Sequence, residues 1–194
     1  MVTAIRPARG GYLRPFGTAM FIRDYLMGRG RDYGVEAIDP HRGAPITDVH
    51  RSYKRALHSD MAEDMAARDA EEAARRGKPM TSEEIEKRRD YYLERIPAKL
   101  TRMRYSSFTR YFRFFMQLGW VERTGKIETS AFQEKYPPAP PRVFYRLTAA
   151  GRAASDAEWS NPIVVLYPDL FNLSYFREKN RGHRYYRQPK KVKP

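Results

Sequence analysis

Apolar residues recur along most of this chain at helical rather than strand spacing. Met20, Phe21, Tyr25 and Leu26 predict a first helix over Phe16–Met27, ended by the glycines of "GRGRDYG". After the loop "DPHRGAP", Val49, Tyr53, Leu57, Met61 and Met65 fall every four residues and form one stripe of a long helix. Thr47 is its expected N-cap, with Asp48 favourable beside the first-turn amides. The alanine-rich continuation runs to Arg76, where Gly77 and Pro79 stop it. About 29 residues at ~1.5 Å each make a rod roughly 43 Å long. "TSEE", Thr81 to Glu84, has capping-box spacing and opens a helix carrying Ile85, Tyr92, Leu93 and Ile96, which Pro97 kinks or restarts.

A sharper amphipathic pattern follows. At ~100° per residue, Phe108, Tyr111, Phe112, Phe115 and Leu118 share one face of a helix starting at Tyr105. Ser106, Thr109, Arg110, Arg113 and Gln117 collect on the opposite face, and Phe114 lies at its edge, where packing in the core is its expected role. Gly119 supplies a left-handed stop. "WVERT" and "RVFYRL" then predict two short strands around the loop "GKIETSAFQEKYPPAPP", whose proline cluster forbids ladder hydrogen bonds at the tip. Thr148 is the expected cap of a helix "TAAGRAASDAEW".

Charge changes the picture. The 194 residues carry 37 Lys+Arg against 23 Asp+Glu, a net charge of +14. Residues 95–155 hold 12 basic and 3 acidic side chains, whereas residues 59–94 hold 7 and 11. The acidic block is thus a solvated helical hairpin suited to a spacer or protein contact. The positive charge concentrates around the amphipathic helix and its strands. A polyanionic partner is the expectation, because clustered cations gain by releasing condensed counterions.

The order of helix, "LGWVER", basic loop and "FYRLTAAGRAA" resembles the winged helix-turn-helix proteins, especially regulators of the MarR and PadR kind. Leu118-Gly119, Val121-Glu122-Arg123, Tyr145, Leu147, Thr148, Gly151 and Arg152 carry the likeness, which covers about residues 95–155. The segment "IPAKLTRMRYSSF" lacks the usual turn glycine. The second helix of the motif is therefore either a short one there or the long helix itself, with 77–100 inserted.

The resemblance implies a mainly α fold with a small β-wing, preceded by a long helical extension and followed by a basic tail. The expected division is a helical extension over 1–79 (its long helix at about 48–76), a winged helix over 80–158, and an apolar docking segment with tail over 159–194. It implies binding of double-stranded DNA, with RNA as the alternative, and a regulator with a recognition helix in the major groove. Arginine can donate bidentately to guanine and glutamine can pair with adenine, which makes Arg110, Arg113 and Gln117 candidate base readers. Ser106, Ser107 and Thr109 at the helix start, with Arg102 and Arg104 before it, are candidate phosphate contacts. Arg123, Lys126, Lys135 and Arg142 would decorate the wing.

Other chemistries find little support. Cysteine is absent, which excludes disulfides, thiolate zinc sites and cysteine nucleophiles. His50 and His58 lie about 12 Å apart along a helix axis, too far for one metal ion. No serine or threonine sits in a nucleophile-elbow context, "GRGRDYG" lacks phosphate-loop spacing, and neither enzyme activity nor a cofactor is expected. No secretory signal or bilayer-length apolar run is visible, so a cytoplasmic protein, nucleoid-associated or within a nucleoprotein complex, is expected. The long helix and residues 162–176 are the expected contacts to a second copy or an assembly partner. The tail "REKNRGHRYYRQPKKVKP" reads either as a disordered soluble end or as an electrostatic arm. Two readings compete with the regulator: a structural subunit of a nucleoprotein assembly, and a winged helix used only for protein docking.

Overall fold

The computed structural model describes residues 17–97, 100–101, 103–129 and 140–171. These are mostly helical, with one small antiparallel sheet. Helix α1 (Thr18–Leu26) is buried on nearly every side and forms the centre of the core rather than its wall. Its one buried acid, Asp24, accepts hydrogen bonds from the Tyr33 hydroxyl at 2.6 Å and Arg23 Nε at 2.9 Å. Burial, with Asp24 beside it, pushes the Tyr33 hydroxyl pKa strongly upward. Arg23 also reaches Asp156, so this paired charge ties α1 to the C-terminal helices.

A two-residue strand, β1 (Ala44–Pro45), leads directly into α2 (Ile46–Arg75). Pro45 occupies the N-cap position without a side-chain cap, so Thr47 lies inside the first turn and is not the cap expected of it. The reason is β1: pairing with the sheet fixes the chain up to Pro45, and a proline beside the helix start wastes no amide. Along α2, Val49, Tyr53 and Leu57 are buried as the stripe predicts, but Met65 is 37 % exposed and Ala62 and Ala66 take its place. A spacing of four residues advances the stripe ~40° per step, so by Met65 it has swung off the buried face.

Helix α3 (Ser82–Arg95) starts at the expected capping box, with Thr81 and Glu84 exchanging both hydrogen bonds. It folds back along α2 through Tyr92, whose hydroxyl donates to Asp69 at 2.8 Å, and through the Arg88–Asp69 pair at 3.0 Å. No α3 residue is buried, which fits the expected solvated hairpin. Between Ile96 and Arg104 the described residues are turn and extended chain, without a further helix.

Helix α4 (Tyr105–Gln117) buries Phe108, Phe112 and Phe115. It ends in a Schellman arrangement: the Trp120 amide donates to the Phe115 carbonyl and the Gly119 amide to that of Met116, with Gly119 at φ +67°. Strands β2 (Val121–Glu128) and β3 (Arg142–Leu147) form a hairpin, and β1 adds to the other edge of β3, giving the order β1-β3-β2. The ladder runs from Val121 opposite Leu147 to Arg123 opposite Tyr145, breaks at a bulge, and resumes with Ile127 opposite Val143. The β2 strand is longer than "WVERT", while β3 has the expected bounds.

Thr148 caps α5 (Ala149–Ala153) as expected. That helix stops after five residues because Ser155 and Glu158 form a second capping box and begin α6 (Asp156–Ser160). The short α7 (Pro162–Leu166) and α8 (Pro168–Phe171) follow. One core joins α1, the first half of α2, α4, the sheet and Trp159. The division expected near residue 79 falls between α2 and α3, and this core draws on both sides of it.

Candidate nucleic-acid interface

Helix α4 is held from behind by aromatic packing. Phe108 meets Tyr53 at 5.7 Å between ring centres, Phe112 meets Tyr145 edge-on at 5.4 Å, and Phe115 meets Trp159 at 4.7 Å. The His50 ring lies 5.0 Å from Phe108, and its Nε2–H donates to the Met103 carbonyl at 2.8 Å, anchoring the chain just before the helix. Burial, and secondarily Lys54, holds the His50 pKa below the usual imidazole value. His50 is thus occupied as a strut between α2, α4 and the chain at Met103.

The front of α4 is bare. Ser106, Arg110, Arg113 and Gln117 are exposed, directly opposite the buried phenylalanines. Thr109 is half-buried and donates its hydroxyl proton to the Ser106 carbonyl at 3.0 Å; Ser107 is half-buried on the other flank. Arg104 occupies the N-cap position and is exposed. Neither Arg110 nor Arg113 has a carboxylate partner among the described residues.

Between α4 and the hairpin lies an open hollow of about 510 Å³. Thr109, Arg113 and Gln117 line it from α4, and Arg123 lines it from β2. Ile46, Phe112, Met116 and Tyr145 supply apolar surface there. Arg123 faces this side because it stands opposite Tyr145 in the ladder, and cross-strand partners share a face. It too lacks a carboxylate partner among the described residues. Two guanidinium groups from different elements, with an amide and a hydroxyl, thus converge on one open recess.

The remaining hairpin cations are differently placed. Lys126 donates to Glu128 at 2.8 Å and lies 4.5 Å above the Phe144 ring. Arg142 pairs with Asp48 of α2 and, at 3.5 Å, with Glu128. Arg42 adds a third cation on Glu128 at 3.4 Å. Lys126, with Arg142 and Arg42 behind it, holds the Glu128 carboxyl pKa below its ordinary value. Arg102 and Lys135, also expected at the interface, lie outside the described residues.

The sequence pattern groups α4 and Arg123 as neighbours but does not reveal this ionic cluster. Asp48 and Arg142 are 94 positions apart, and the helix dipole alone accounts for an acid at Asp48. The β1–β3 pairing, which sets the start of α2 beside β3, brings the two together. Among the described residues there is no group of three metal-binding side chains, and no helix is long and apolar enough to cross a membrane. No protein-family model, curated protein or solved structure matches the chain.

Proposed function

We propose that the protein is a winged helix-turn-helix protein that binds double-stranded DNA, with α4 in the major groove, and acts as a transcriptional regulator. The observation that carries this reading is the front of α4: Arg110, Arg113 and Gln117 exposed and uncommitted on a helix whose back is locked into an aromatic core. Such a helix presents donors and acceptors at base edges without having to give up internal contacts. The element order supports it as well. Helix, short strand, helix, reading helix and two-stranded hairpin occur in sequence, with β1 closing the sheet. In this arrangement α2 is the second helix of the motif and residues 76–104 are an insertion carrying α3.

The test is selection from a random duplex library with the full chain at about 150 mM salt. An enriched motif is expected, and Arg113→Ala should weaken binding to it by about 1–3 kcal/mol while relaxing preference at one position. Binding without enrichment would remove the base-reading role. A second reading, docking to another protein or within a nucleoprotein assembly, draws on one observation: Ile163, Val164 and Tyr167, beside α4, are all about 40 % exposed. Under that reading, losing Arg110 and Arg113 would leave function intact and polar substitutions on α7 would abolish it.

A further inference from the structure

We propose that Arg142 is a positioning residue, not a phosphate contact. Together with Asp48 and Glu128 it latches the hairpin to α2, so that Arg123 stands across the hollow from Arg113. The proposal rests on the duplex-binding reading given above.

Besides α4, two parts of the chain distant in sequence border the hollow. Ile46, at the start of α2, lines it from one side; Arg123 and Tyr145 of the hairpin line it from another. Asp48 lies two residues beyond Ile46, in the first turn of α2. Glu128 and Arg142 are directly cross-strand, at the loop end of the hairpin. One guanidinium therefore bridges both walls, with one terminal nitrogen on Asp48 and the other on Glu128.

The alternative is that Arg142 waits for a phosphate. Its surroundings argue against this. Five groups, Arg42, Lys126 and Arg142 against Asp48 and Glu128, nearly neutralise one another, leaving one positive charge. A phosphate arriving at Arg142 would have to displace the two carboxylates that already hold its terminal nitrogens. Solvent screening makes each such pair worth little by itself, on the order of 0–1 kcal/mol. What the fork supplies is geometry, since a planar guanidinium holds two carboxylates at fixed directions and an ammonium does not. The bulge lies between Arg123 and Ile127. Without the latch, the outer part of β2 is held by that irregular stretch, by its pairing with β3 and by Arg42, and loses its direct tie to α2.

The decisive comparison uses full-length Arg142→Met, Arg142→Lys and Asp48→Asn, binding a selected duplex over a range of salt concentrations, with folding checked by circular dichroism. Positioning predicts several-fold weaker binding for all three. It also predicts a salt slope equal to that of the unmodified chain, and a double Asp48→Asn/Arg142→Met variant no weaker than either single one. A phosphate contact predicts the opposite pattern: Arg142→Met lowers the slope by about one, Arg142→Lys binds nearly normally, and Asp48→Asn binds more tightly by freeing the arginine. That pattern would overturn the proposal. Should the unmodified chain bind no duplex even at low salt, the duplex reading fails, and amide exchange still decides the latch. Arg142→Met must then speed exchange around Arg123–Ile127 and leave α4 unchanged; equal exchange in both proteins would refute it.

Discussion

Gly151 shows what the string "YRLTAAGR" is for in physical terms. A Cβ at this position would stand 2.2 Å from the Trp120 carbonyl oxygen, which is backbone and cannot swing aside. The Gly151 carbonyl in turn accepts from the Trp159 indole at 2.9 Å, and the Gly151 amide donates to the capping Thr148 hydroxyl at 3.0 Å. Thr148 donates its own proton to the Gly119 carbonyl at 2.6 Å. The string therefore joins the end of α4, the start of β2 and the start of α5 at one point. Gly151→Ala should destabilise the fold by about 1–3 kcal/mol through forced separation of α5 from Trp120. Thermal unfolding should show a fall of several degrees in Tm, and an unchanged Tm would mean that α5 moves freely. The capping role of Thr148 is legible in the sequence because it is local. The role of Trp159 is not, because nothing near it in the chain signals that it will meet the Trp120 ring at 4.8 Å and fill the core behind α4.

Periodicity identifies α1 to α4 because each carries an apolar stripe long enough to be counted. It fails on β1, whose two residues hold no pattern, and therefore on everything β1 brings together: the α2 cap, the Asp48–Arg142 pair and the far wall of the hollow. The α5–α6 break escapes the pattern although Ser155 and Glu158 repeat the spacing of Thr81 and Glu84. There the continuous alanine-rich string argues for one helix, and a capping box in its middle argues for two; the capping hydrogen bonds prevail. The elements also differ in how firmly they are held. α4 buries three phenylalanines, whereas α3 buries nothing and relies on its cap, its bonds to Asp69 and a half-packed seam. Sparse burial is the physical mark of a segment that opens below the global unfolding free energy. Amide exchange should accordingly find α3 protected at least about tenfold less than α4. Equal protection would mean that the α2–α3 hairpin is covered by something beyond its own two helices.

At the scale of the molecule, charge is partitioned. The block 59–94 is net −4, so the rest of the chain is +18. The acidic hairpin is an arm in which α3 packs chiefly on α2, whereas Arg113 and Arg123 line the hollow between α4 and β2. If the partner is a polyanion, the acidic hairpin disfavours its approach on that side. Residues 177–194 add eight basic side chains and one acidic one, so half the net charge resides in the last eighteen residues. If α4 and Arg123 read bases and the tail supplies only counterion release, the two contributions separate experimentally. Removing 177–194 should weaken binding on selected and unrelated duplexes by the same factor. It should also flatten the dependence of log K on log salt by about 0.9 for each phosphate that the tail had neutralised, leaving the preference between the two duplexes unchanged. Titration of both duplexes at several salt concentrations measures slope and preference together. A change in preference would place the tail among the base-reading elements, and an unchanged slope would leave α4 and the hairpin as the whole of the electrostatic footprint.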